Sequence, residues 1–152
     1  AVDNATGLLT VLAILDQLPA NAPIGVIFTD AEELGLLGAR ALVRERPQLL
    51  AGTTVINFDG IDDRGSVRVL SHRAGPLGLA VARALSTRPR GFFPVIVDGR
   101  VLARPAGECF TIVKGNWHTA AVVHRPSDTA DRLTLEGVRQ VAGAVAEALG
   151  SQ

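Results

Sequence analysis

The chain has a single cysteine, Cys109, so neither an internal disulfide nor a thiolate zinc cluster can be built, and any metal ligands must be oxygen or nitrogen. It has no apolar run long enough to cross a bilayer, and no basic segment followed by a hydrophobic one near its start. As given it reads as soluble, which leaves export and location open. Neither sign of charge is in surplus: 15 basic residues balance 15 acidic ones, without local concentration. The electrostatic footprint of a nucleic-acid or membrane binder is therefore missing, and the expected partner is small. Repeats, low-complexity tracts and interdomain linkers are also lacking. What remains is 152 residues, 47% hydrophobic with a mean hydropathy of +0.28, enough for one domain with a substantial core.

Hydrophobic periodicity alternates between strand and helix. Leu8 to Leu18 is apolar almost all round, as in a buried helix closed by Pro19, and the continuous run Ile24 to Thr29 reads as a central parallel strand. Leu34 to Arg46 is amphipathic and stops before Pro47. Thr53 to Phe58 and Ser66 to Leu70 read as strands, with a helix over Pro76 to Leu85. Phe93 to Val97 and Thr119 to Val123 are further strand candidates, Ala106 to Asn116 is ambiguous, and Leu135 to Leu149 is a helix with Thr134 as cap.

Four strings carry chemistry: DNATG from Asp3, DAEELG from Asp30, NFDG from Asn57 and VVHRPSDT from Val122. They put acidic residues and a histidine where strands are expected to end, the place where α/β proteins build sites. Glu32 and Glu33 diverge by about 100° on a helix, so they cannot do the same job: one can hold a metal while the other faces a water. The plainer alternative is that two glutamates opening a helix complement its dipole. Asp59 ends an apolar strand, and Gly60 turns the chain away, which exposes a carboxylate for coordination or merely forms an Asp-Gly turn. Asp3 caps the first helix or serves as a ligand beside it. His124 is a ligand candidate or a structural histidine, and Asp128 and Thr129 cap a turn or orient its imidazole.

Read as a set, AVDNATG, IFTDAEELGLLGAR, INFDG and VVHRPSDTADRL resemble the zinc exopeptidases of the aminopeptidase S and aminopeptidase Y type. That superfamily also holds glutaminyl cyclases and the inactive protease-like domain of transferrin receptor. The resemblance implies a three-layer α/β sandwich with a mostly parallel central sheet, and a zinc-dependent aminopeptidase acting on peptides. It implies Asp3 as bridging ligand, with Asn4 on a cis peptide bond. Glu32 becomes the general base, Glu33 and His124 ligands of one zinc, and Asp59 a ligand of the other.

Three departures qualify that inheritance. The family's additional zinc histidine, in an HxD string upstream of the bridging aspartate, is not in this sequence, so one zinc is expected and the second site is incomplete. The same reading makes the chain an N-terminally truncated domain over 1–152, whose sheet edge is covered by an oligomer or a missing segment. Before Phe110 the family's SDH-like string is replaced by PAGECF, and its YHTP by VHRP. No tyrosine exists to polarise an oxyanion, which leaves Asn116, Trp117 or His118 for that role. The alternatives are a mono-zinc glutaminyl-cyclase-like aminoacyl transferase and an inactive peptidase-like interaction domain.

Overall fold

The computed structural model describes residues 1–91 and 94–151. Its sheet has the order β1-β3-β2, with β1 at Thr54–Ile61, β2 at Ser66–Arg73 and β3 at Glu108–Gly115. β1 runs parallel to β3, and β2 antiparallel to it. The stretch that was ambiguous in the sequence is thus the central strand. Its alternate residues Phe110 and Ile112 are fully buried on one face and Cys109 on the other, the two-sided burial that makes such a run nearly continuous in hydrophobicity.

Helices cover both faces, as expected for an α/β sandwich. On one side α1 (Gly7–Leu15), α3 (Pro76–Ala84) and α6 (Glu136–Gly150) close the larger core, built on Ile14, Val69, Val81, Phe110, Ile112, Val141 and Val145. On the other, α2 (Leu37–Glu45) and the short α4 (Gly99–Leu102) pack Leu36, Ala39, Val101 and Leu102 around Cys109. Burial pushes the Cys109 thiol up to about 12, so it is an inert packing group. Among the described residues no helix is long and apolar enough to cross a membrane.

Five local expectations are corrected. Ile24 to Thr29 forms no ladder: Ile24, Val26, Ile27 and Phe28 are exposed, and the run lines a cavity of about 790 Å³ that separates it from the free edge of β1. A strand without an adjacent strand has nowhere to place its amides. Thr119 to Val123 is helical instead, within α5 (Trp117–Val122), because Asn116 starts a helix. Its Oδ1 accepts from the amides of His118 and Thr119, and Thr119 Oγ1 accepts from the Asn116 amide, a full capping box. Of the predicted strand over 93–97, Phe93 lies outside the described residues, and 94–97 is irregular. Thr134 does not cap α6. Asp63 does, accepting from the Thr134 and Gly137 amides. The first helix is also only half-covered, since Leu8, Leu9, Leu12 and Leu15 are exposed.

Candidate functional site

Each of the four strings ends at one basin of about 800 Å³, lined by Asp3, Glu32, Glu33, Asp59 and His124. Asp3 lies in the irregular turn Val2–Thr6 that leads into α1, and the Asp3–Asn4 peptide is cis, as the resemblance implied. Two clamps fix this turn to the end of β1. Asn4 Nδ2 donates to the Phe58 carbonyl at 2.9 Å while its Oδ1 accepts from the Gly60 amide at 3.1 Å; Thr6 Oγ1 donates to the Val2 carbonyl and accepts from the Ile61 amide. Asp3 and Asp59, far apart in sequence, are thereby held side by side.

Asp128 completes the anchorage. Its carboxylate pairs with the Ala1 ammonium at 2.7 Å and accepts from the amides of Val2 and Asp3, which holds its proton affinity below the ordinary carboxylate range against the cost of burial, and it also pairs with Arg132. It therefore positions the Asp3 backbone and leaves the His124 imidazole to other partners, which decides the alternative left open by the sequence.

The DAEELG string makes a tight turn before α2. The Asp30 carbonyl accepts from the Gly38 amide, and a side chain at Gly38 would meet that oxygen at 2.3 Å, so only glycine allows the closure. Ala31 and Leu36 in this turn take φ values of 54° and 62°, and His124 in the basin takes 63°, backbone conformations uncommon for such residues. The turn sends Glu33 to His124 and leaves Glu32 on the basin wall.

His124 emerges just after α5, not from a strand end. Its Nε2 lies 2.8 Å from Asp3 Oδ2 and 2.5 Å from Glu33 Oε1, and one atom from each of the three falls within 4.8 Å of the others. With two carboxylates facing one nitrogen, the imidazole is held protonated above its usual range, first by the hydrogen bond to Asp3. The side chains of Glu33 and His124 are 60% and 61% exposed, so an incoming molecule can reach the cluster directly. Asp59 lines the same basin but is not in that three-residue group.

The electrostatics are those of crowded negative charge. Burial, then the charges of Asp3, Glu32, Asp98 and Glu33, push Asp59 up to about 7. Glu32 is raised by burial first, then by Glu33, Asp98 and Asp3. A cluster that must hold protons in order to tolerate itself is one a cation would relieve. Two carboxylates and an imidazole within 4.8 Å form an oxygen and nitrogen donor set of the kind zinc takes, so the residues present fit that ion.

Of the oxyanion candidates, Asn116 and Trp117 line the basin, Asn116 with its oxygen committed to capping α5; His118 stacks on Trp117 with ring centroids 3.4 Å apart. The sequence reading missed Asp98, which pushes on Asp59 and Glu32, and the bracketing amide of Asn4. The string VDG at Val97 to Gly99 repeats the Asp-Gly ending of NFDG, and could have pointed to Asp98.

Fold and basin define an α/β domain with an acidic and histidine cluster beside the ends of its strands. The chain belongs to peptidase family M28, whose sequence profile matches residues 1–149. The fold is similar to the crystal structure of the Legionella pneumophila LapA aminopeptidase, with a TM-score of 0.59 and 20% sequence identity over 82% of this chain. This chain spans only 39% of that one. No curated protein sequence matches it.

Proposed function

We propose that this domain is the catalytic part of a zinc-dependent aminopeptidase that removes N-terminal residues from peptides. The observation that carries the reading is the convergence of Asp3, Glu33 and His124, three potential ligands from three separate parts of the chain, in a basin that Glu32 also lines. In this reading one zinc is held by Asp3, Glu33 and His124, with Asp59 as a further ligand candidate. When bound, zinc would supply Lewis-acid polarisation and a lowered pKa for a bound water.

The remaining chemistry belongs to the chain. Glu32, with proton affinity raised by its surroundings, takes a proton from the attacking water and returns it to the leaving amine. Asp128 and Asn4 keep Asp3 in place through backbone and side-chain hydrogen bonds. The carboxylates give the free amino terminus of a peptide a natural counter-charge.

The test is release of N-terminal amino acids from a peptide panel by zinc-loaded protein, measured alongside ammonia. Free amino acids support the aminopeptidase, while ammonia from N-terminal glutamine supports the cyclase-type transferase. Neither product, despite bound zinc, supports an interaction domain. The reading also includes a covering segment or a second subunit along the free edge of β1, since the cavity beside it is lined by Ile24, Val26, Ile27, Val55 and Ile56. Light scattering separates the two.

A further inference from the structure

The basin that holds the acidic cluster also runs away from it, across the ends of the strands in sheet order. Asp59 and Gly60 of β1, Val113 and Gly115 at the end of β3, and Arg68 of β2 line the same cavity of about 800 Å³. Asp3, Glu33 and His124 gather on the β1 side, where Asn4 ties the Asp3 turn to Phe58 and Gly60. Arg68 stands on the opposite side, two strands away.

The pleat of β2 puts it there. Val67 and Val69 pack on the larger core, so the side chain of Arg68 between them points to the other face of the sheet. Half-buried, it reaches the end of β3, where its Nη1 donates to the Gly115 carbonyl at 3.3 Å. Among the described residues, the other cationic side chain lining the basin besides His124 is Lys114, which spends its ammonium on the carbonyls of Asp62 and Asp63. A guanidinium is a planar fork of donors shaped for a carboxylate, a geometry that an ammonium lacks. Between the acidic pole and this basic one, Ile96 and Trp117 are exposed and give the basin apolar walls.

Positions two strands apart in a sheet are separated by about 10 Å, and an extended peptide advances about 3.5 Å per residue, so roughly three residues span the gap. We propose that the basin selects short peptides of about two to four residues with a free C-terminal carboxylate, the amino terminus lying at Asp3, Glu33 and His124 and the carboxylate on Arg68. Ile96 and Trp117 offer the intervening side chains apolar surface. The inference rests on the aminopeptidase reading and adds a substrate class to it.

The probes are trialanine, trialanine amide, and a soluble eight-residue alanine-based peptide as acid and as amide, each given to the zinc-loaded chain while released alanine is counted. Trialanine is expected to show a KM about tenfold or more below that of its amide, because only the acid offers Arg68 a charge-assisted pair. The two longer peptides, whose ends lie past Arg68, are expected to agree within about twofold. Arg68→Gln should bring the tripeptide ratio to about one. Calorimetric titration of both tripeptides into zinc-loaded Glu32→Gln protein reads the same preference as a ratio of Kd, without turnover. Equal values for trialanine and its amide, an equal gap in the longer pair, or a gap that survives Arg68→Gln overturns the carboxylate subsite and leaves the aminopeptidase reading standing. A chain that holds zinc and releases alanine from none of the four peptides overturns both.

Discussion

At the scale of single residues, Glu32 and Glu33 differ by one position and by everything that matters chemically. Glu33 reaches the imidazole, while Glu32 stays on the wall in reach of the other charges. Glu32→Gln keeps the shape and removes the base, so zinc content should be unchanged while peptide turnover falls about 10²- to 10⁴-fold, as metal analysis and initial rates will show. Undiminished turnover would remove Glu32 from the role of base. His124→Ala removes the only nitrogen of the cluster, and zinc titration should show affinity reduced by at least tenfold with the fold intact by circular dichroism. Asp3, Glu33, Asp59 and His124 were legible as candidates because each falls in a short string of unusual composition. Asp98 was not, since a lone Asp-Gly pair reads as a turn until burial shows its carboxylate to be orphaned.

Elements are held by a few polar ties whose loss is measurable. Asn4 bridges the turn before α1 to the Phe58 carbonyl and Gly60 amide, so Asn4→Ala leaves two backbone groups at the end of β1 without these partners. Chemical denaturation should show about 1–2 kcal/mol lost, and zinc affinity should fall with it because Asp3 is released. Asn116→Ala removes the capping box of α5 and should cost about 1 kcal/mol in the same experiment, with His124 displaced at the helix end. The longer helices and the strands β1 and β2 could be read from periodicity, whereas the central strand β3 stayed ambiguous. The errors fell where tertiary context overrides it. Thr119 to Val123 carries strand-like residues but obeys the cap at Asn116, and Ile24 to Thr29 is strand-like but faces a cavity in place of an adjacent strand.

For the whole molecule, the acidic basin makes stability depend on pH and on metal. Asp59 binds its proton more tightly in the folded chain, with a value raised from 3.8 to about 7. Its stabilising contribution is therefore complete below 3.8 and lost as pH rises through about 7. Glu32 and His124 are raised as well and act in the same direction, each in its own window. Asp62, Asp63 and Asp128 are lowered, so their contribution is present above 3.8 and lost as pH falls through their folded values. His72, lowered by burial, opposes the basin because its cost fades as pH rises toward 6.5. Asp59 has the largest carboxylate shift, so the melting temperature of the metal-free chain should drop by roughly 5–10 °C between pH 5 and pH 8. Zinc should reverse the slope, because ions displace the protons that crowding retains. A metal-free melting temperature that rises over this interval would contradict the account of the basin.

The most direct measurement is zinc-edge anomalous diffraction from crystals of this chain grown with zinc. The account predicts a peak about 2 Å from Asp3, Glu33 and His124 together, with Glu32 facing it across the basin. A peak bound elsewhere, or no peak among these three side chains at saturating zinc, would contradict it.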